Sequence, residues 1–103
     1  MGQARAVRLR YTDPALADLD AILDYIAEWS PRGARNVQQR IQSIIDLILI
    51  YPDVGLRTED PVIRRIPTPQ YPYLVFYEPT DTEIIIHAIR HAARDSSNLR
   101  RTD

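Results

Sequence analysis

Between Asp13 and Ile50 the chain reads as two amphipathic helices with almost nothing between them. Leu16, Leu19, Ile22, Leu23, Ile26 and Trp29 recur at three- and four-residue steps, and Val37, Ile41, Ile44, Ile45 and Ile48 repeat the pattern. Only Ser30-Pro31 separates the stripes: a hydroxyl that caps free amides, then a proline whose fixed φ suits a first helical turn. Helices joined by so short a turn have to fold back on each other as an αα-hairpin. Thr12-Asp13-Pro14 gives the same start signal to the first helix, and Tyr51-Pro52 stops the second, because a residue before proline is pushed out of the helical region.

The hairpin needs a sheet to cover its stripes, and the flanking sequence supplies one. Val7, Leu9 and Tyr11 alternate with Arg8 and Arg10, which predicts a first strand over residues 5–11. Pro52 to Pro61 reads as a loop. Beyond it, segments 62–66, 73–77 and 83–89 are short, rich in β-branched or aromatic residues and separated by the turn formers Pro67-Thr68-Pro69 and Pro79-Thr80-Asp81-Thr82. The expectation is an α+β fold: N-terminal strand, α-helical hairpin, then a three-strand antiparallel meander whose last two strands are central. A chain of 103 residues is most simply one domain, read here as 1–95, with a flexible C-terminal tail over 96–103 where no apolar residue recurs.

Composition narrows the chemistry. There is no cysteine, hence no disulfide, thiolate nucleophile or Cys-ligated metal, and with His87 and His91 the only histidines no metal site is expected. No Gly-rich phosphate loop, G-x-S-x-G elbow or H-E-x-x-H motif occurs, so no cofactor is expected either. The N-terminus lacks a secretory apolar stretch, and the longest apolar run, residues 44–50, is broken by Asp46 and too short for a membrane span; a cytoplasmic protein is expected. Carboxylate pairs such as Asp18/Asp20 are read as a solvated helix face.

What remains is arginine. All 13 basic residues are arginine, set against 14 acids for a net charge of −1. The charge runs in blocks, with residues 11–30 holding five acids and no base, so any polyanion contact has to come from a local patch. Arg64 and Arg65 are adjacent on a strand and point to opposite faces. Arg90 and Arg94 cluster with His87 and His91 at the end of the last strand. A regular strand to residue 91 sets His87 and His91 on one face with Ile85 and Ile89, and Arg90 on the other with Ile84, Ile86 and Ala88. Guanidinium forks bind phosphate or carboxylate bidentately. His87, inside an apolar strand, reads as a packed, hydrogen-bonded residue; His91 stands at a strand end, where sites gather.

With those residues in view, the chain resembles the RelE/ParE superfamily of bacterial toxins, more closely its ParE branch, over residues 6–95. The segments that carry the resemblance are LRYTDPALADLDAILDYIAE, IIDLILIYPDVG, RRIPTPQYPYLVFYEP and IIIHAIRHAARD, the last matching an H-x-x-R-D ending through His91, Arg94 and Asp95. The resemblance implies the toxin of a type II toxin–antitoxin module, held in a hetero-oligomer by a cognate ParD-like antitoxin that adds a strand to a sheet edge and lays a helix on the hairpin. It implies Arg64, Arg65, Arg90, His91 and Arg94 as target- or antitoxin-binding residues. ParE-like members poison DNA gyrase, whereas RelE-like members cleave mRNA on the ribosome, a role that would fall here to Arg65, Arg90 and His91. The C-terminal tyrosine of the RelE branch is missing and no lysine exists to act as a base, so a gyrase-directed inhibitor is favoured over an enzyme. The alternatives are a ribosome-dependent mRNA endoribonuclease and a degenerate non-toxic member that still binds antitoxin.

Overall fold

Thr12 and Ser30 do what their positions predict. In the computed structural model, which describes residues 7–93, the Thr12 hydroxyl accepts the Ala15 N–H at 3.1 Å and the Ser30 hydroxyl accepts the Gly33 N–H at 2.9 Å. Ser30 also donates its own N–H to the Ile26 carbonyl at 2.8 Å, so one residue closes α1 (Asp13–Trp29) and opens α2 (Pro31–Ile50).

The strands are β1 (Arg8–Tyr11), β2 (Leu56–Arg57), β3 (Arg64–Pro67), β4 (Tyr73–Pro79) and β5 (Glu83–His91). They form one sheet in the order β1-β5-β4-β3-β2, with β1 parallel to β5 and the other pairs antiparallel. The expected meander is therefore present, and β4 and β5 are central. The turn between β3 and β4 runs from Thr68 to Tyr71 with Pro69 second and Gln70 third, at φ 75, the left-handed value a type II turn demands there. The predicted tail 96–103 lies outside the described residues.

The hairpin covers one face of the sheet. Ile41, Ile45 and Ile48 of α2 are buried against Val75, Tyr77, Ile84, Ile86 and Ile89. α1 is half-covered, because it packs chiefly against α2 and β5 at one side of the molecule. Only Ala15 is fully buried on it, while Leu16 and Trp29, both in the predicted stripe, are 45% and 76% exposed.

Two expectations need correction. The stretch read as a loop contains β2, which pairs as Leu56↔Arg65 and Arg57↔Arg64. A two-residue strand has no period to read, and this one is held by distant groups. The Tyr77 hydroxyl accepts the Gly55 N–H at 2.9 Å and donates to the Pro52 carbonyl at 2.7 Å, while Arg64 donates to the carbonyls of Gly55 at 2.8 Å and Asp53 at 3.3 Å. Gly55 is required there, since a Cβ would lie 2.8 Å from the Arg65 carbonyl oxygen and from the Tyr77 ring.

The second correction concerns the faces of β5. Pairing runs Tyr77↔Ile86 and then Phe76↔Ala88, leaving His87 without a partner of its own in a β-bulge. The extra residue reverses the alternation beyond it. Ile84, Ile86 and Ile89 all reach the core, His91 joins the helix side, and Arg90 joins His87 and Ala88 on the other side, contrary to the regular-strand expectation.

Candidate functional site

Thr12 and Asp18 show how the hairpin fixes β5, where most of the candidate residues lie. The Thr12 N–H donates to the Ile86 carbonyl at 3.0 Å, continuing β1, and the Thr12 hydroxyl reaches the Ile86 and His87 carbonyls at 3.3 Å each. Beyond the end of β1, the Ile89 N–H donates to the Asp18 carboxylate at 3.0 Å. Asp18 is thus a cap on the central strand rather than part of a solvated acidic pair.

On the face away from the helices, Arg65 sits beside Phe76 in register, and the Arg90 guanidinium lies over the Phe76 ring, 5.7 Å from its centroid. His87 and Glu78 meet there at 2.9 Å, Nε2 to Oε1. With Asp60, Phe76, Ala88 and Arg90 they line an open depression of about 380 Å³. On the same face Arg10 pairs with Glu83 at 3.2 Å, an exposed contact worth about 0–1 kcal/mol.

The other candidates stand elsewhere. Arg64 is turned toward the helix side, engaged with the 53–55 backbone and 3.6 Å from the Asp53 carboxylate. His91 packs edge-on against Tyr73, ring centroids 5.8 Å apart at 84°, and its Nδ1 accepts the Ala93 N–H at 3.2 Å. These two rings and Ala21, Ile22 and Tyr25 of α1 line a groove of about 490 Å³. Burial pushes the Tyr73 hydroxyl above its ordinary pKa, with the nearby Tyr25 adding to the shift. Arg94 and Asp95 lie outside the described residues.

The structure therefore joins Arg65 and Arg90 on one face and holds His91 and Arg64 on the other. What the sequence reading missed is the His87–Glu78 pair: His87 was expected to be hydrogen-bonded, but Glu78 drew no notice. Counting back across the Pro79–Thr82 reversal sets Glu78 opposite Ile85, one diagonal step from His87 on the same face. Among the described residues no cluster of His, Asp and Glu is arranged to hold a metal, and no helix is long and apolar enough to cross a membrane.

The sequence model of a family described as the ParE toxin of type II toxin–antitoxin system, parDE, matches residues 9–96. The chain belongs to the ParE toxin family. It is 37% identical over 84 residues to Toxin RelE2 of Caulobacter vibrioides, an alignment that covers 82% of this chain and 93% of that protein. Among solved structures it is similar to the chromosomal ParDE TA system from P. aeruginosa, with a TM-score of 0.71, 26% identity, and coverage of 85% of this chain and 98% of that one. This ParE-family protein is accordingly the toxin of a type II toxin–antitoxin module, with an antitoxin as its partner. The strand–hairpin–meander order is that of the ParDE toxin fold.

Proposed function

We propose that this toxin arrests DNA gyrase by binding it, without an enzymatic step of its own, and that a ParD-like antitoxin neutralises it in a cytoplasmic hetero-oligomer. The observation that carries this reading is the division of Arg65 and Arg90 from His91 by the sheet. Cleavage of RNA requires a base, an acid and a cationic clamp within reach of one phosphate. His91 is instead stacked on Tyr73 beside α1. Arg65 and Arg90, on the face away from His91, suit a grip on carboxylates of a protein surface and are assigned to target or antitoxin contact. Arg94 follows His91 by three residues and is assigned with them; Arg64 contributes by fixing the 53–55 segment.

One observation favours the second reading, mRNA cleavage: His87, oriented by Glu78, shares a face with Arg65 and Arg90. A single expression experiment separates the two. Cells producing the toxin without antitoxin are scored for plasmid supercoiling and for integrity of translated messages. The gyrase reading predicts lost supercoiling or trapped DNA breaks with intact messages. Intact supercoiling with cut messages, repaired by His87→Ala, overturns it, and unimpaired growth identifies a non-toxic member.

A further inference from the structure

α2 carries its charge where a helix disfavours it. Residues 31–45 hold Arg32, Arg35 and Arg40 and no acid, in a chain whose net charge is −1. Arg32 stands in the first turn and Arg35 just beyond it, at the positive end of the helix dipole, where carboxylates stabilise and cations do not. Both are exposed and form no ion pair among the described residues, so nothing within the fold offsets that placement. Arg40 donates to the side-chain oxygen of Gln70, in the turn between β3 and β4, at 3.0 Å; this neutral partner positions the guanidinium and leaves its charge unbalanced. Helical spacing sets Asn36, Gln39 and Ser43 in the same row, on the side of α2 opposite buried Val37, Ile41, Ile44 and Ile48. Every side chain of the row carries a hydrogen-bond donor. Asn36, Gln39, Arg40 and Ser43 with Tyr71 line an open polar depression of about 420 Å³. The row ends where Asp46 begins the acids again, held by the Gln42 amide at 3.0 Å.

A row of cations and donors without an acid suits a polyanion, and its other properties say which one. Protein interfaces have an apolar or aromatic centre. Between Arg32 and Ser43 no apolar side chain of α2 is exposed. Single-stranded nucleic acid stacks its bases on aromatic rings, and the row has none. The major groove of double-stranded RNA is too deep and narrow for a helix to read. Duplex DNA has a major groove about 12 Å wide that admits a helix, and Arg, Asn, Gln and Ser side chains are those that bind its phosphates. From Arg32 to Ser43 the row runs about 16 Å, long enough to meet several phosphates. α1, with five acids and no base, repels the same polyanion, which confines any approach to the outward face of α2.

We propose that α2 binds the phosphate backbone of duplex DNA along this face, through Arg32, Arg35 and Arg40, with Asn36, Gln39 and Ser43 donating further hydrogen bonds. The row lies on the opposite side of the molecule from Arg65 and Arg90, so a protein gripped by the open sheet face leaves α2 free for DNA. The site is independent of the target proposed above.

The test is fluorescence anisotropy of a short labelled DNA duplex titrated with purified full-length toxin across a salt series. Three neutralised phosphates give a slope of log affinity against log salt of about −2.7. Arg32→Ala/Arg35→Ala is expected to reduce the slope to about −0.9 and to weaken binding about tenfold or more at the lowest salt. Arg32→Lys/Arg35→Lys, which keeps both charges, is expected to restore the slope. Arg8→Ala/Arg57→Ala removes the same charge from exposed positions on β1 and β2 and is the control with the wild-type slope. Alanine favours the helix and takes cations from its positive end, so the thermal midpoint of the first variant stays at or above the wild-type value and a loss of binding is not a loss of fold. A wild-type toxin that binds no duplex at the lowest salt overturns the proposal, as does an alanine pair with an undiminished slope or a lysine pair that fails to restore it. Equal losses in the two alanine pairs replace the site with the field of the whole molecule. Intact duplex binding with antitoxin affinity weakened tenfold makes the row a protein contact instead. No gyrase is present in the assay, so a toxin that leaves gyrase unaffected refutes the target reading and not this one.

Discussion

Replacing Tyr77 with Phe removes one oxygen atom and leaves the packing of the ring intact. That oxygen is buried, accepts the Gly55 N–H at 2.9 Å and donates to the Pro52 carbonyl at 2.7 Å, joining β4 to the segment between α2 and β2. Without it the buried Gly55 amide loses its hydrogen-bond partner. An orphaned buried donor costs about 1–3 kcal/mol. The Pro52 carbonyl is half-buried, so solvent replaces part of what it loses, and that bond is counted at about 0.5–1 kcal/mol. The sum is a destabilisation of about 1.5–4 kcal/mol, with no cavity term. Urea denaturation should show a lower midpoint with an unchanged slope, because the surface exposed on unfolding stays the same. Amide exchange should show Gly55 losing protection before the core of β5 does. A loss below about 0.5 kcal/mol, or a Gly55 amide as protected as in the wild type, refutes the claim that this hydroxyl anchors the segment.

Asp18→Ala should cost about 1.5–3 kcal/mol, the range for a bond to a charged acceptor, by stranding the Ile89 N–H. Asp18→Asn, which keeps an acceptor, should recover most of it in the same denaturation assay; equal losses in both would point to charge rather than the bond. Thr68 is 1% exposed and its hydroxyl has no hydrogen-bond partner among the described residues, so Thr68→Val should raise stability by about 1 kcal/mol, and a lower urea midpoint would reveal a bond to that oxygen. Burial pushes the hydroxyls of Tyr11, Tyr73 and Tyr77 above their ordinary 10.0. The unfolded chain ionises first as pH rises, so this stabilisation is complete below about pH 10 and is lost above it. Denaturation midpoints should be flat on that account up to about pH 9 and fall toward pH 11, and a midpoint that rises there would contradict the direction.

Much of the fold was legible because its signals are local. A capping hydroxyl followed by proline announced both helices, and Ser30 needs nothing beyond its neighbours to end one and begin the next. The meander was legible from its turn formers. The features that were not legible depend on residues far apart in the chain. β2 exists because Tyr77 and Arg64, about twenty and ten residues on, hold the backbone around Gly55. The bulge at His87 follows from the need to bury Ile84, Ile86 and Ile89 together, which a strict alternation forbids. That single residue decided the candidate site: Arg90 and His91 face opposite sides in either register, but the bulge separates His87 from His91 and brings it onto the face of Arg90. The acidic run on α1 was legible as charge, but Asp18's bond to β5 and the exposure of Tyr25 and Trp29 required the packing of α1 against only part of the sheet.

Inhibition of gyrase by binding, as proposed for this toxin, is read out by supercoiling of relaxed plasmid by purified gyrase and ATP, with purified toxin added alone and with its antitoxin. The toxin is expected to block supercoiling or accumulate cleaved plasmid, and antitoxin to restore the reaction. Full supercoiling in the presence of folded, antitoxin-competent toxin would rule out gyrase as the target.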